Sequence, residues 1–362
     1  MEFKKYRLGE IATFSQGKQV DVKEQYATKR KDMKKFTRIV DYTNASEPVR
    51  YVENYGDRYF ASEDELVMIR YGSQTAGMAV MGKNGIIANN LFKINLDNDI
   101  VLNKYMYYYL SQKEIFNYLR SSQSSSTMPA ISFSIMNSLE IDIPSISYQK
   151  KSINILQKID RKIELNNQIN DNLYSLIDSL YKDGILDKYE KNHKLLELYN
   201  FQYGKGNNNP DNNGIYPVYG SNGIIGGYTE FNNEEAPVIG HIGANCGSLI
   251  FAFGKHFVTY NGVMCMIKNE DFKYFGYVTM RFLNFRNEIR GSSQPFVSYD
   301  LLDNMNIPLP ENEIIKKYEK LFKPLFKIIN NNLNQNKNLE QLRDTLLPKL
   351  MNGEIDLDKI EI

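Results

Sequence analysis

The sequence has only two cysteines, Cys246 and Cys265, and three histidines, His193, His241 and His256. Neither set contains a CxxC or a closely spaced His pair, so four tetrahedral zinc ligands cannot be drawn from it and no metal site is expected. The two thiols should pack as small apolar groups in a reducing compartment. No apolar stretch approaches the roughly 18 residues that a membrane span needs. The opening MEFKKYRLGE also lacks the apolar run that follows the lysines of a signal peptide. A cytoplasmic protein with no membrane partner is the expectation. An excess of one charge is missing as well, with 44 Lys and Arg against 43 Asp and Glu. Any polyanionic partner must therefore be met by a local patch, such as Lys29 to Lys35 (KRKDMKK), although a basic run also suits a solvated loop.

Catalytic signatures are absent too. Asn209-Pro210 is followed by Asp211, which fails the Asn/Asp-Pro-Pro-aromatic pattern of an adenine methyltransferase. Gly254-Lys255 is followed by His256 at the wrong spacing for a phosphate-binding GxxxxGK[ST] loop. No catalytic residue and no cofactor is assigned.

What is present is a repeat. The chain has 362 residues, 42% hydrophobic and 24% charged, which suits two globular domains, each with its own core. Ile131 to Pro144 (ISFSIMNSLEIDIP) and Val297 to Pro310 (VSYDLLDNMNIPLP) match at a constant offset of 166. Pro129 answers Pro295 in the same way, and the match runs on through Lys150-Lys151 and Lys316-Lys317. The halves also open alike. Arg7 to Lys18 (RLGEIATFSQGK) matches Lys194 to Lys205 (KLLELYNFQYGK) at an offset of 187, and Val67, Gly72 and Asn90 answer Val238, Gly243 and Asn261 at 171. An offset that drifts between fixed points is how loops vary on a retained scaffold.

The segments after each match read as helices of about 35 residues, roughly 50 Å long. In the first, Ile159, Ile163, Asn166, Asn170, Leu173, Ile177 and Leu180 form a stripe at alternating steps of four and three. In the second, Leu325, Ile329, Asn332, Asn336, Leu339, Arg343 and Leu346 repeat it. Two asparagines lie mid-stripe in each, and a buried Asn at a seam fixes register and partner at a cost in stability. If a pseudo-twofold axis relates the halves, the helices are antiparallel and hold two domains apart like a ruler. Pro324 lies inside the second pattern, so a kink or a helix start is expected there. Ahead of each long helix, short β-rich runs broken by Gly and Asn, such as Glu65 to Arg70 and Val258 to Ile267, are followed by helical stretches near Asn103 to Tyr118 and Phe272 to Glu288.

These features resemble the specificity subunits of type I restriction–modification systems. The resemblance rests on RLGEIATFSQGK, on YPVYGSNGIIGGY (Tyr216 to Tyr228), on the serine-rich approach to each helix and on LRDTLLPKLMNGEI (Leu342 to Ile355), and it spans essentially the whole chain. It implies an α+β fold of two pseudo-twofold-related α/β target-recognition domains joined by two long antiparallel coiled-coil helices. The expected parts are residues 1–144, a first recognition domain; 145–186, a central spacer helix; 187–310, a second recognition domain; and 311–362, a second spacer helix and tail. The implied function is non-catalytic reading of an asymmetric bipartite sequence in double-stranded DNA, one half per domain. The implied partners are two adenine methyltransferase subunits and restriction/translocase subunits. Two rivals stand beside it, and a third, an independent enzyme, is disfavoured by the missing motifs. One is the recognition subunit of a type IIB system, which only the neighbouring subunit would distinguish. The other is a coiled-coil scaffold that binds no DNA, favoured by the near-zero net charge.

Base edges are read by Arg, Lys, Asn and Gln, whereas hydroxyls, lysines and backbone amides position phosphates. In the first half, Arg70, Tyr71, Ser73 and Gln74 surround Gly72, and in the second, His241 and Asn245 surround Gly243. Lys18 and Lys205, each after a matched Gly, suit phosphate contact. The turn Tyr219, Ser221 and Asn222 and the Asn-rich stretch beginning at Asn207 could reach a groove. Arg120 and Arg290 precede Ser121 to Ser126 and Gly291 to Gln294, and their symmetric placement favours a shared backbone-contact or structural role, with Gln294 beside them. Each of these also has a plain reading as a solvated turn residue or, for Tyr219, as core.

Overall fold

The repeat in the sequence is a repeat of strands. The computed structural model describes residues 3–44, 46–122, 130–206, 214–288 and 295–359. The chain divides into two units, Met1–Ile163 with Asn338–Ile362, and Glu164–Lys337.

In the first unit an antiparallel sheet runs in the order Ala12–Gln16, Leu91–Leu96, Leu66–Ile69, Ala79–Met81. Its central strand Leu66–Ile69 is buried on both faces. The two-residue period of a strand sends Leu66 and Met68 into a large core with Tyr105 and Met106 of the helix Asn103–Leu110. Val67 and Ile69 point the other way, to Ala61, Ile87 and Leu91. A second small sheet places Lys34–Thr37 antiparallel to Arg50–Val52 and parallel to Gly85–Ile87, with Phe60–Ala61 at its edge.

The second unit repeats this order in one six-stranded sheet. Tyr199–Tyr203, Gly262–Ile267, Asn233–Gly240 and Leu249–Val258 correspond to the first unit's four strands, and Tyr216–Gly220 and Gly223–Tyr228 extend the sheet. Leu249–Val258 spans in one piece what the first unit breaks into Ala79–Met81 and Gly85–Ile87. The break falls at Asn84, whose φ is +51°, whereas the second unit has Gly254 at φ +64° beside that position and keeps the strand.

The constant offset of 166 has a structural meaning. Phe133–Ser138 and Tyr299–Asn304 are short helices whose N-cap serines, Ser132 and Ser298, each accept from a backbone N–H three residues on at 3.2 Å. Beyond them run the long helices Ile146–Tyr181, of 36 residues, and Asn312–Met351, of 40 residues. The second does not begin at Pro324 but at Asn312. Pro324 is exposed, and Phe322 and Phe326 on either side are fully buried, so core packing offsets the hydrogen bond that proline cannot make.

Within each unit the helical segments lie antiparallel. In the first, the Tyr148 hydroxyl donates to the Leu350 carbonyl at 3.1 Å and Arg343 pairs with Asp160 at 3.2 Å. In the second, Asn166 meets Asn336 and Asn170 meets Asn332. Among the described residues no helix is long and apolar enough to cross a membrane. Nor are three His, Cys, Asp or Glu side chains grouped to hold a metal.

Candidate nucleic-acid interface

In each unit a three-residue connector gathers the polar candidates. In the first it is residues 88–90, ahead of the strand Leu91–Leu96. The Lys18 N–H donates to the Ile87 carbonyl at 2.8 Å, Gly17 to Leu91 at 3.0 Å and Arg70 to Asn90 at 2.9 Å. In the second, Lys205 donates to Val258 at 3.1 Å, Gly204 to Gly262 at 2.9 Å and His241 to Asn261 at 2.8 Å. The matched glycines follow from this crossing. A Cβ on Gly17 would stand 2.1 Å from the Ala88 carbonyl oxygen, and one on Gly204 2.1 Å from that of Thr259.

The first loop leaves its connector at Arg70 and turns at Gly72, with φ +123°. Thr75 Oγ1 donates to the Tyr71 carbonyl at 3.0 Å, and the Arg120 guanidinium donates to the Ser73 carbonyl at 2.7 Å. Arg120 thus holds the loop from the side, and Ser73 and Gln74 are exposed at its tip. Arg70 lies over the rings of Tyr71 at 5.1 Å and Phe133 at 5.6 Å. Its Nε is buried without a hydrogen-bond partner, a donor that a ligand could satisfy.

The second loop turns at Gly243, φ +91°, and is pinned where Cys246 Sγ donates to the His241 carbonyl at 3.2 Å. His241 takes the place of Arg70 but is buried, with Nδ1 3.0 Å from the Tyr260 carbonyl. Its ring stacks on Tyr203 at 4.1 Å, and Tyr203 stacks on Tyr299 at 4.1 Å. The Tyr203 N–H donates to the Tyr299 hydroxyl at 2.7 Å, and burial pushes the Tyr203 hydroxyl pKa up. Tyr299 answers Phe133 at the constant offset. An arginine over a ring in one unit is thus an imidazole on a column of two rings in the other. Sequence reasoning passed over Phe133, Tyr203 and Tyr299, and the repeat alignment was the signal that pairs the first with the last.

Asn245 is half-buried beside this loop, and Ser248 Oγ donates to the Ser221 carbonyl at 2.8 Å, so the turn with exposed Asn222 packs against it. Tyr219 is a core residue. Its side chain packs with Val238, Ala252 and Met264 and stands edge-on to His256, leaving 8% exposed, and only its carbonyl serves the connector, accepting from the Thr259 N–H at 3.0 Å. Asn207, Arg290 and Gln294 lie outside the described residues.

Along the helices, Asn166 Nδ2 donates to Gln335 Oε1 and Asn336 Oδ1, both at 2.8 Å, and Asn336 Nδ2 donates to Asn167 Oδ1 at 2.8 Å. Asn332 Nδ2 donates to Asn170 Oδ1 at 2.9 Å. Ile159, Ile177 and Ile329 are buried, whereas Ile163, Leu173, Leu180, Leu325, Leu339 and Leu346 are half-buried. The deeper contacts of the second helix are Phe322, Phe326, Leu347 and Leu350, and Arg343 faces Asp160 rather than an apolar neighbour.

Comparison with known proteins places the chain among relatives. A family model for the type I restriction modification DNA specificity domain matches residues 1–174 and 192–341. The type I restriction enzyme MjaIX specificity subunit of Methanocaldococcus jannaschii is 25% identical over 336 residues, covering 78% of this chain and 76% of its own. The MjaVIII specificity subunit of the same organism is 21% identical over 357 residues, covering 84% and 82%. The crystal structure of the S subunit of a type I restriction–modification system from M. genitalium superposes with a TM-score of 0.59 at 20% identity, over 97% of this chain and 96% of that one, which shows a shared fold.

Proposed function

The chain belongs to the family of type I restriction modification DNA specificity domains, and from that premise we propose that it reads an asymmetric bipartite sequence in double-stranded DNA, one half per unit. The single observation that carries the reading is the pair of matched connectors. The same backbone frame presents Lys18 and Arg70 in one unit and Lys205 and His241 in the other. A constant frame with different side chains suits two readers of different half-sites.

Arg70 and Gln74 are assigned to base edges in the first half-site, and Asn222, His241 and Asn245 to the second. Lys18 and Lys205 are assigned to phosphates. Ser73 and Ser221 are assigned to positioning the backbone, and Arg120 to holding the reading loop. The paired helices set the spacing of the half-sites and dock two adenine methyltransferase subunits, with restriction/translocase subunits joining for cleavage. No catalysis and no cofactor is assigned to the chain itself. A cytoplasmic location follows from that role.

The test is selection of bound duplexes from a randomised library by the complex of this chain with its methyltransferase. Enrichment of a two-part motif with a fixed gap is the expected result. Capture with no sequence preference would contradict the reading.

A further inference from the structure

The two units differ in how they present positive charge. The stretch from Lys18 to Glu65 holds ten Lys or Arg, whereas its counterpart from Lys205 to Ala236 holds one, Lys205. In the first unit this charge sits on the small sheet, which has its own core of Val20, Phe36, Val52, Ile86 and Ala88. Aromatic rings rim that core, and a cation lies over each. Arg30 is 4.5 Å from the centre of Tyr26, Lys18 5.0 Å from Tyr55 and 5.5 Å from Tyr59, Arg58 5.6 Å from Tyr59, and Lys34 5.5 Å from Phe60. In the second unit the comparable contact is Lys255 over Phe231 at 4.5 Å.

Carboxylates are as numerous as cations in this stretch, ten of each, and Glu24 and Glu53 lie close enough to Tyr55 to raise its pKa, but none of the ten forms an ion pair with a cation over the rings. Asp41 and Glu47 are taken by Arg38, and Glu65 by Lys93. Among the described residues, Lys18, Lys29, Arg30, Lys31, Lys34 and Arg58 make no ion pair within 4.0 Å. Rings hold Lys18, Arg30, Lys34 and Arg58 in place without neutralising them, and Lys29 and Lys31 flank Arg30 in the chain, which leaves this charge available to a partner. The rim is continuous with the reading connector, because Lys18 bridges to Ala88, two residues before the Asn90 that holds Arg70.

We propose that this cation-on-ring rim grips the phosphate backbone of the duplex, and that the first unit supplies most of the protein's sequence-independent affinity while the second reads its half-site with little electrostatic help. The inference rests on the DNA-reading function proposed above. A contact that neutralises Z phosphates makes log K fall with log salt at a slope of about −0.9Z. The rim therefore has a measurable signature.

The experiment uses the intact complex with its methyltransferase and fluorescence anisotropy between 50 and 200 mM KCl. The probes are a duplex carrying the selected motif and a scrambled duplex of the same length. The variant Lys29→Ala/Arg30→Ala/Lys31→Ala/Lys34→Ala should lose about 3 to 4 from the magnitude of the slope on both duplexes and keep its preference between them. A Lys29→Arg/Lys31→Arg/Lys34→Arg variant should keep the parent slope, which separates lost charge from lost folding. A Lys205→Ala/Lys255→Ala variant should change the slope by no more than about 2. A parent slope retained in the alanine variant would overturn the inference while leaving sequence reading intact. A parent complex that does not distinguish the two duplexes would overturn the reading itself.

Discussion

At the scale of single residues, the site is a matter of what stands at fixed backbone positions. Replacing Arg70 or Gln74 with Ala should cost about 1–3 kcal/mol at one base pair and relax selectivity there. Replacing Lys18 should weaken binding to all sequences evenly. Binding profiles over a randomised site library separate the two, and an unchanged profile for both Arg70 and Gln74 variants would remove them from the readout. The glycine positions in these loops were legible in the sequence because a backbone crossing and a left-handed turn both demand them. The rings of Phe133, Tyr203 and Tyr299 were not, since a tyrosine that stacks on a histidine has no sequence pattern of its own. Tyr219 has two readings in the sequence, groove contact and core, and packing decides for the core: its side chain faces inward while Asn222 of the same turn is exposed.

Elements come next, and here packing decides what pattern suggests. Periodicity placed both long helices and their mid-stripe asparagines, because a seam is a spacing. It placed the apolar contacts less well. Phe322 continues the stripe and is fully buried, but Phe326 and Leu347 are buried one place beyond the half-buried Leu325 and Leu346, because the chains packed against the helix, and not the period alone, decide which side chains go deepest. Asn166→Ala should destabilise the fold by about 1–3 kcal/mol, since it removes a buried donor to Gln335 and Asn336. Asn166→Leu with Asn336→Leu should recover that loss in urea unfolding. Failure to recover it would mean that the amides contribute more than they cost to bury.

Another element contact predicts a pH dependence. Glu319 of the second long helix accepts the backbone N–H groups of Tyr274 and Phe275 at 2.9 and 2.8 Å. Burial outweighs those two bonds and pushes its pKa up from 4.5 to about 7. The native state then holds a proton that the unfolded chain has lost, so stability falls as pH rises from 4.5 to about 7 and is level above. Relative to Glu319→Gln, the parent should lose urea resistance between pH 5 and pH 7.5. A constant difference across that range would contradict the assignment.

For the whole molecule, the repeat was legible because two copies of one design share constant offsets, and it pointed to both long helices. The loops between the fixed points were not, since insertions there are free to differ. If the helices set the half-site spacing, one heptad added in phase to each lengthens the gap by about 10 Å, or roughly three base pairs. The methylated motif should keep both halves and gain that spacing, and an unchanged gap would assign the spacing elsewhere.

The most direct measurement of the central claim is single-molecule methylome sequencing of cells that express this chain with its methyltransferase, beside cells lacking the chain. The account predicts a new bipartite motif with methyladenine in each half. A complex that forms and leaves no such motif would contradict DNA reading and favour a protein scaffold.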